Sequence, residues 1–306
     1  MIYTLTLNPA VDMNVSSARM EPGLVNRTYD TVYTPNGKGV NVSFTLQHFG
    51  VPSVVMGPFG GFTGDYITGE CRNRGLQVLP SPIAGTNRVN MFVTVGDKEY
   101  KLVNEGPVVS AQEQEALLSL LESLEDLEVL TINGSMARGF GPDYLLRIME
   151  ICNRKGAKVV PDISAPVLKE VLTQGPFLIK PNRAELEGLA GKVLGKTREI
   201  MRSAKDLQAQ GARNVLVSLG GDGALLLDES GKFHRIGVPK GELKTSVGSG
   251  DSMVAGFLAG YQKTGDYVTA LRTGAACGSA SAFSTALATR EEVESMYHEL
   301  ELMEVK

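Results

Sequence analysis

The chain of 306 residues is 42% hydrophobic and 21% charged, an ordinary composition for a soluble protein, and its length suits one large α/β unit or two smaller domains. Its formal net charge of −4 argues against a nucleic-acid-binding surface, and no apolar run approaches the ~20 residues of a membrane span. Cys71, Cys152 and Cys277 are too scattered for a disulfide frame, and His48, His234 and His298 too few for a His-rich metal centre, so reduced thiols in a cytoplasmic protein are expected.

Ile2 to Leu7 is β-branched and apolar and ends at Asn8-Pro9, which predicts a buried strand followed by a turn. It lacks a basic start and meets the turn too soon for a secretory leader. Asp12 lies just past that turn, at a strand's carboxyl end, where open α/β sheets place ligand groups; an exposed loop acid is the plainer alternative. Arg27 to Thr34 and Asn90 to Val103 are β-formers with polar alternation, the second broken by a turn at Gly96-Asp97. Inserted into a strand/helix chain, they predict a small sheet, roughly 13–35 and 87–106, that serves as a lid.

Between them, Asn36-Gly37-Lys38-Gly39-Val40-Asn41 is a glycine loop that opens a helix. No G-x-x-x-x-G-K occurs, so it is not a Walker A loop. Lys38 and Asn41 either face a polar or anionic substrate or are solvated, and a lone arginine such as Arg88 is solvated by default. Val51 to Gly57 reads as a strand, Thr63 to Arg74 as a helix, and a further helix follows Ser110 to about Leu124. Strands over 128–133, 157–162, 177–180 and 214–219 then alternate with helices over 141–155, 165–173, 182–190 and 196–210. Such alternation predicts a parallel sheet covered on both faces. A hairpin-like stretch from Ala224 to Val238 and helical patterns at Tyr267–Phe283 and Arg290–Met303 complete the chain.

Four short stretches carry possible chemistry. Gly248-Ser249-Gly250-Asp251 precedes Met253, Val254, Phe257, Leu258 and Tyr261 at helical spacing, so a helix begins near Gly250. Its free N–H groups and positive dipole end suit a phosphate. A carboxylate there would be repelled by phosphate unless it held or removed the proton of an attacking hydroxyl; a simple helix cap is the alternative. Asn182 and Glu185 share a helical face and could hold magnesium through its waters, or could form a capping box. The Ser218–Gly223 turn, with three glycines, permits close backbone approach at a strand end, and Gly134-Ser135 could do the same after the strand that ends at Asn133.

Together, Asn8-Pro9-Ala10-x-Asp12, Gly37-Lys38-Gly39-x-Asn41, Asn182-x-x-Glu185, the Ser218–Gly223 turn and Gly248-x-Gly250-Asp251 occur in the order found in ribokinase-like (phosphofructokinase-B) sugar kinases. The resemblance spans essentially the whole chain and points to the branch that phosphorylates fructose 1-phosphate or tagatose 6-phosphate, with fructose 1-phosphate favoured. It implies a single ribokinase-like domain over 1–306, a three-layer α/β core with a mostly parallel sheet, and a β lid. It also implies ATP and Mg2+, with Asp251 as base in an anion hole formed by Gly248, Ser249 and Gly250. ATP would lie over Ser218, Gly220, Gly223, Ser249 and Gly250, and Asn182 and Glu185 would act on magnesium through water. Asp12, Gly37, Lys38, Asn41, Arg88, Asn90 and Ser135 would contact the sugar phosphate, joined by Arg27 from the first lid segment. A homodimer through the lid is the implied assembly. A non-catalytic sugar-phosphate-binding protein of the same fold is the other reading. Asn36, where the branch often has glycine, and Met136-Ala137, where Leu-Pro is usual, depart from the pattern near the sugar phosphate. An ordinary Asp pKa of ~3.9 would leave Asp251 ionised at neutral pH.

Overall fold

A computed structural model describes residues 1–284 and 287–305. From the amino end, β1 (Ile2–Thr6), β2 (Ala10–Ser17) and β3 (Thr28–Asn36) lead to α1 (Lys38–His48), β4 (Ser53–Phe59), α2 (Gly61–Asn73) and β5 (Gln77–Pro82). Strands β6 (Arg88–Val95) and β7 (Lys98–Leu102) precede α3 (Ala111–Glu122), β8 (Val129–Asn133), α4 (Pro142–Arg154), β9 (Lys158–Asp162) and α5 (Ala165–Val171). Next come β10 (Leu178–Ile179), α6 (Arg183–Ala190), α7 (Thr197–Ala209), β11 (Asn214–Ser218), β12 (Ala224–Leu227) and β13 (Phe233–Ile236). Helices α8 (Ser249–Thr264), α9 (Tyr267–Phe283) and α10 (Arg290–Glu299) and strand β14 (Leu302–Met303) follow.

Five parallel strands pair in the order β5-β4-β1-β8-β9, and five more in the order β10-β11-β12-β13-β14. The Phe177 N–H donates to the Val159 carbonyl at 2.8 Å and joins the two sets edge to edge. Strand alternation sends side chains to both faces of the sheet. Tyr3, Leu5, Val215, Val217, Leu225 and Leu227 pack on one face with residues of α3, α4, α6 and α7. Ile2, Leu216, Leu226 and Ile236 pack on the other with α8 and α9. A sheet with apolar residues on both faces requires helices on both, and three layers result.

The sequence pattern misreads three places. The 224–238 hairpin forms as expected, but β12 to β14 pair antiparallel, so this end of the main sheet departs from the parallel pattern. The last helix stops at Glu299, and Leu302–Met303 adds an edge strand beside β13, too short for any periodicity. β5, interrupted by Pro80 and Pro82, gives no strand signal, yet pairs with β4.

A separate four-stranded sheet, β3-β2-β6-β7, covers one end of the molecule. Two of its strands begin earlier than the pattern predicts: β2 starts at Ala10, so Asp12 is a buried strand residue paired with Asn90, not a loop acid. Arg88 likewise opens β6, opposite Ala10.

Candidate active site

The carboxyl ends of β1, β8, β9 and β11 and the amino ends of α1, α6 and α8 meet at one edge of the main sheet. α8 begins at Gly248, which has a left-handed φ of 77° and offers no capping side chain. The first intrahelical bond runs from Ser252 N–H to the Gly248 carbonyl at 2.9 Å, leaving the N–H groups of Ser249, Gly250 and Asp251 ahead of it. Asp251 does not cap its helix. Its buried carboxylate accepts instead from Asn41 Nδ2 at 2.9 Å, across from α1. Close approach explains the glycine at 250: a Cβ there would lie 3.0 Å from the Lys180 amine.

Four charges surround this point. Asp162, at the end of β9, meets Lys180 at 3.3 Å through one oxygen and Lys38 at 3.4 Å through the other. Burial pushes the Asp162 carboxyl up, but the two lysines outweigh it and hold it below the usual range. Asp251 goes the other way. Burial, then the Asp162 charge, raise it to about 6 against the opposing pull of Asn41, Lys38 and Lys180. The ordinary carboxylate expected from sequence is therefore a stronger base in the fold.

A second polar cradle lies where the small sheet joins the core. Asp12 accepts from Asn90 Nδ2 at 2.8 Å through one oxygen and from Asn36 Nδ2 through the other. Arg88 donates to the carbonyls of Asn104 at 2.9 Å and Asn8 at 3.3 Å, and to Ser135 Oγ at 3.4 Å. Asn8 Oδ1, Asn90 Oδ1 and Arg88 Nε are buried without a hydrogen-bond partner among the described residues. Such atoms cost ~1–3 kcal/mol each when left unpaired, so three of them together mark a surface made for a polar ligand. Gly37 places its backbone against Thr6, and Gly39 donates to Thr6 Oγ1 at 3.0 Å, fixing the loop that presents Lys38.

The Ser218 turn adjoins the start of α6. Ser218 N–H donates to the Pro181 carbonyl at 3.1 Å, and Arg183 pairs with Asp222 across the turn at 2.7 Å. Gly223 has a φ of 84°, and a Cβ there would collide with the Ile236 carbonyl. Asn182 and Glu185 form a reciprocal capping box, with bonds of 2.9 and 2.8 Å. The box uses one Glu185 oxygen, and the other has no protein partner among the described residues. Glu185 is also close enough to stabilise the Lys38 charge. No group of three or more His, Cys, Asp or Glu suited to a metal occurs among the described residues. The free Glu185 oxygen and the remaining lone pair of Asn182 Oδ1 fit magnesium, which keeps most of its waters and takes further oxygens from phosphates.

Most of the residues singled out from sequence converge here. Arg27 does not: its side chain is exposed with no partner among the described residues, and its carbonyl accepts from Ser17 Oγ at 2.9 Å. Asp162 and Lys180 are the residues that sequence reading missed. Asp162 ends β9 and Lys180 directly follows β10, and that position at a strand's carboxyl end was their one available signal.

A family model described as "pfkB family carbohydrate kinase" matches residues 4–293. The 1-phosphofructokinase of Bacillus subtilis is 40% identical over 303 residues, covering 99% of each chain. The D-tagatose-1-phosphate kinase of Klebsiella oxytoca is 35% identical over 305 residues, covering all of both. Among solved structures, phosphofructokinase-2 from Escherichia coli in complex with substrates and products superposes with a TM-score of 0.90 at 27% identity, covering 97% of this chain and 98% of that one.

Proposed function

The chain belongs to the pfkB family of carbohydrate kinases and is a sugar-phosphate kinase, and from that premise we propose that it phosphorylates fructose 1-phosphate with ATP to give fructose 1,6-bisphosphate. The observation that carries the chemistry is the buried Asp251, oriented by Asn41 at the start of α8 and raised to about 6. In this reading Asp251 accepts the proton of the attacking hydroxyl while the N–H groups of Ser249, Gly250 and Asp251 receive the charge of the transferred phosphoryl group. Lys38 and Lys180 add positive charge beside that path. Magnesium, where bound, neutralises the nucleotide phosphates, and Asn182 and Glu185 would orient its waters. The Ser218–Gly223 turn lets the nucleotide lie close to the backbone.

Arg88, Asn90, Asp12, Gly37 and Ser135 form the sugar-phosphate cradle, and the small sheet acts as a lid that excludes water from the transfer. Two copies associate through that lid, which would bring exposed Arg27 beside a neighbour. The three cysteines are free and buried, in keeping with a cytoplasmic protein, and no helix among the described residues is long and apolar enough to cross a membrane.

A second substrate has support of its own, because two D-tagatose-1-phosphate kinases are 35% and 37% identical over essentially full length. That replaces tagatose 6-phosphate as the nearest alternative sugar. Turnover with ATP and magnesium on fructose 1-phosphate, tagatose 1-phosphate and the corresponding 6-phosphates tests the reading. The highest kcat/KM is expected for fructose 1-phosphate; a 6-phosphate preferred over both 1-phosphates would reject it.

A further inference from the structure

Asp12 is the one carboxylate in the sugar cradle, and both of its oxygens already hold an amide. Asn90 supplies one from the parallel neighbour β6, and Asn36 the other from the end of β3. The Asn36 carbonyl oxygen in turn accepts from the Gly37 N–H, so the same side chain ties Asp12 to the loop presenting Lys38. A carboxylate has about four acceptor positions. With two filled from opposite sides, the directions left for sugar hydroxyls are fixed by Asn36 and Asn90.

We propose that Asn36 is a specificity-determining residue: by holding the second oxygen of Asp12, it decides which arrangement of ring hydroxyls the carboxylate can accept. Asn36 acts through Asp12 as a positioning residue. Its own amide also lines the cradle, where Asn90 Oδ1 and Asn8 Oδ1 remain unpaired among the described residues. Glycine at this position would free the Asp12 oxygen and widen the space beside it. The chemical distinction at stake is that between fructose and tagatose phosphates, which differ only in the configuration at C4. Neighbouring hydroxyls that are trans in one are cis in the other, so a carboxylate with limited free directions serves them unequally. Sites built to hydrogen-bond a hydroxyl discriminate far more strongly than apolar ones.

This inference rests on the ketose 1-phosphate reading above, and the experiment separates the two. For wild type, Asn36→Gly and Asn36→Leu, kcat/KM is measured on fructose 1-phosphate and tagatose 1-phosphate, together with KM for ATP and the thermal midpoint. Leucine keeps the branched outline of asparagine without its donor or acceptor. The wild type is expected to separate the epimers by at least ~10-fold, and each variant to compress that ratio by a comparable factor at nearly constant ATP KM. If the glycine chain does not fold, the leucine chain carries the comparison. A ratio unchanged in a folded variant overturns the role of Asn36. So does a wild type that uses both epimers equally, although the kinase reading survives. A wild type that phosphorylates neither epimer overturns both.

Discussion

Asp251 sits where simple electrostatics is divided against itself. Burial and the Asp162 charge disfavour its ionised form, while Asn41 and two lysines favour it, and the balance leaves it near 6. A base in that range is still ionised at neutral pH and holds a proton better than an ordinary carboxylate. Activity is therefore expected to fall as pH drops through about 6, and a kcat/KM profile flat down to pH ~4.5 would remove Asp251 from proton transfer. Asp251→Asn preserves shape and is expected to lower kcat by at least ~10². The same change should stabilise the fold. The folded pKa lies above the ordinary 3.8, so the ionised group costs stability at pH above about 6, and the cost is relieved as pH falls. Removing it is worth at most about 3 kcal/mol at neutral pH, read as a raised thermal midpoint. Normal turnover with an unchanged midpoint would contradict both statements. Asp251 was legible because glycines and a helix pattern frame it. Asp162 and Lys180 were not, since a charged residue ending a short apolar strand looks like any surface terminus until the strands are laid side by side.

At the scale of elements, the start of α6 supports two interpretations at once. The capping box of Asn182 and Glu185 is present, and so is the position beside the Ser218 turn and Lys38 that magnesium chemistry would require. Glu185→Gln separates them. Glutamine closes a capping box as well as glutamate does, so the thermal midpoint should barely move. Turnover should fall and the magnesium requirement should rise, measured by titrating the ion at saturating ATP. Loss of stability with unchanged magnesium dependence would leave only the cap. Helices and buried parallel strands were readable because their apolar periods are long. The start of β2, the proline-broken β5 and the two-residue β14 were hidden, because pairing and not local pattern makes them strands.

At the scale of the whole molecule, both edge strands of the small sheet expose apolar side chains that packing within the chain does not cover. Tyr29, Val32 and Tyr33 are each about half exposed on β3, an edge strand of the small sheet, and Tyr100 and Leu102 are exposed on β7. Sedimentation is expected to give twice the chain mass for the wild type and a single chain for Val32→Asp; a monomeric wild type would exclude the assembly. Inside the molecule, the two five-stranded sets meet between β9 and β10, and Asp162 spans that seam, one oxygen on Lys38 from the first set's side and one on Lys180 from the second's. Both amines lie beside the proposed transfer path and share a single counter-ion, so each is open to a phosphate of a different substrate. A phosphate that draws Lys38 away leaves Asp162 wholly to Lys180, and the reverse holds equally. Thermodynamic reciprocity then requires each substrate to alter the other's dissociation constant by one common factor. Each substrate thus competes with the same buried anion for a lysine, and the two are coupled through it even where they never touch.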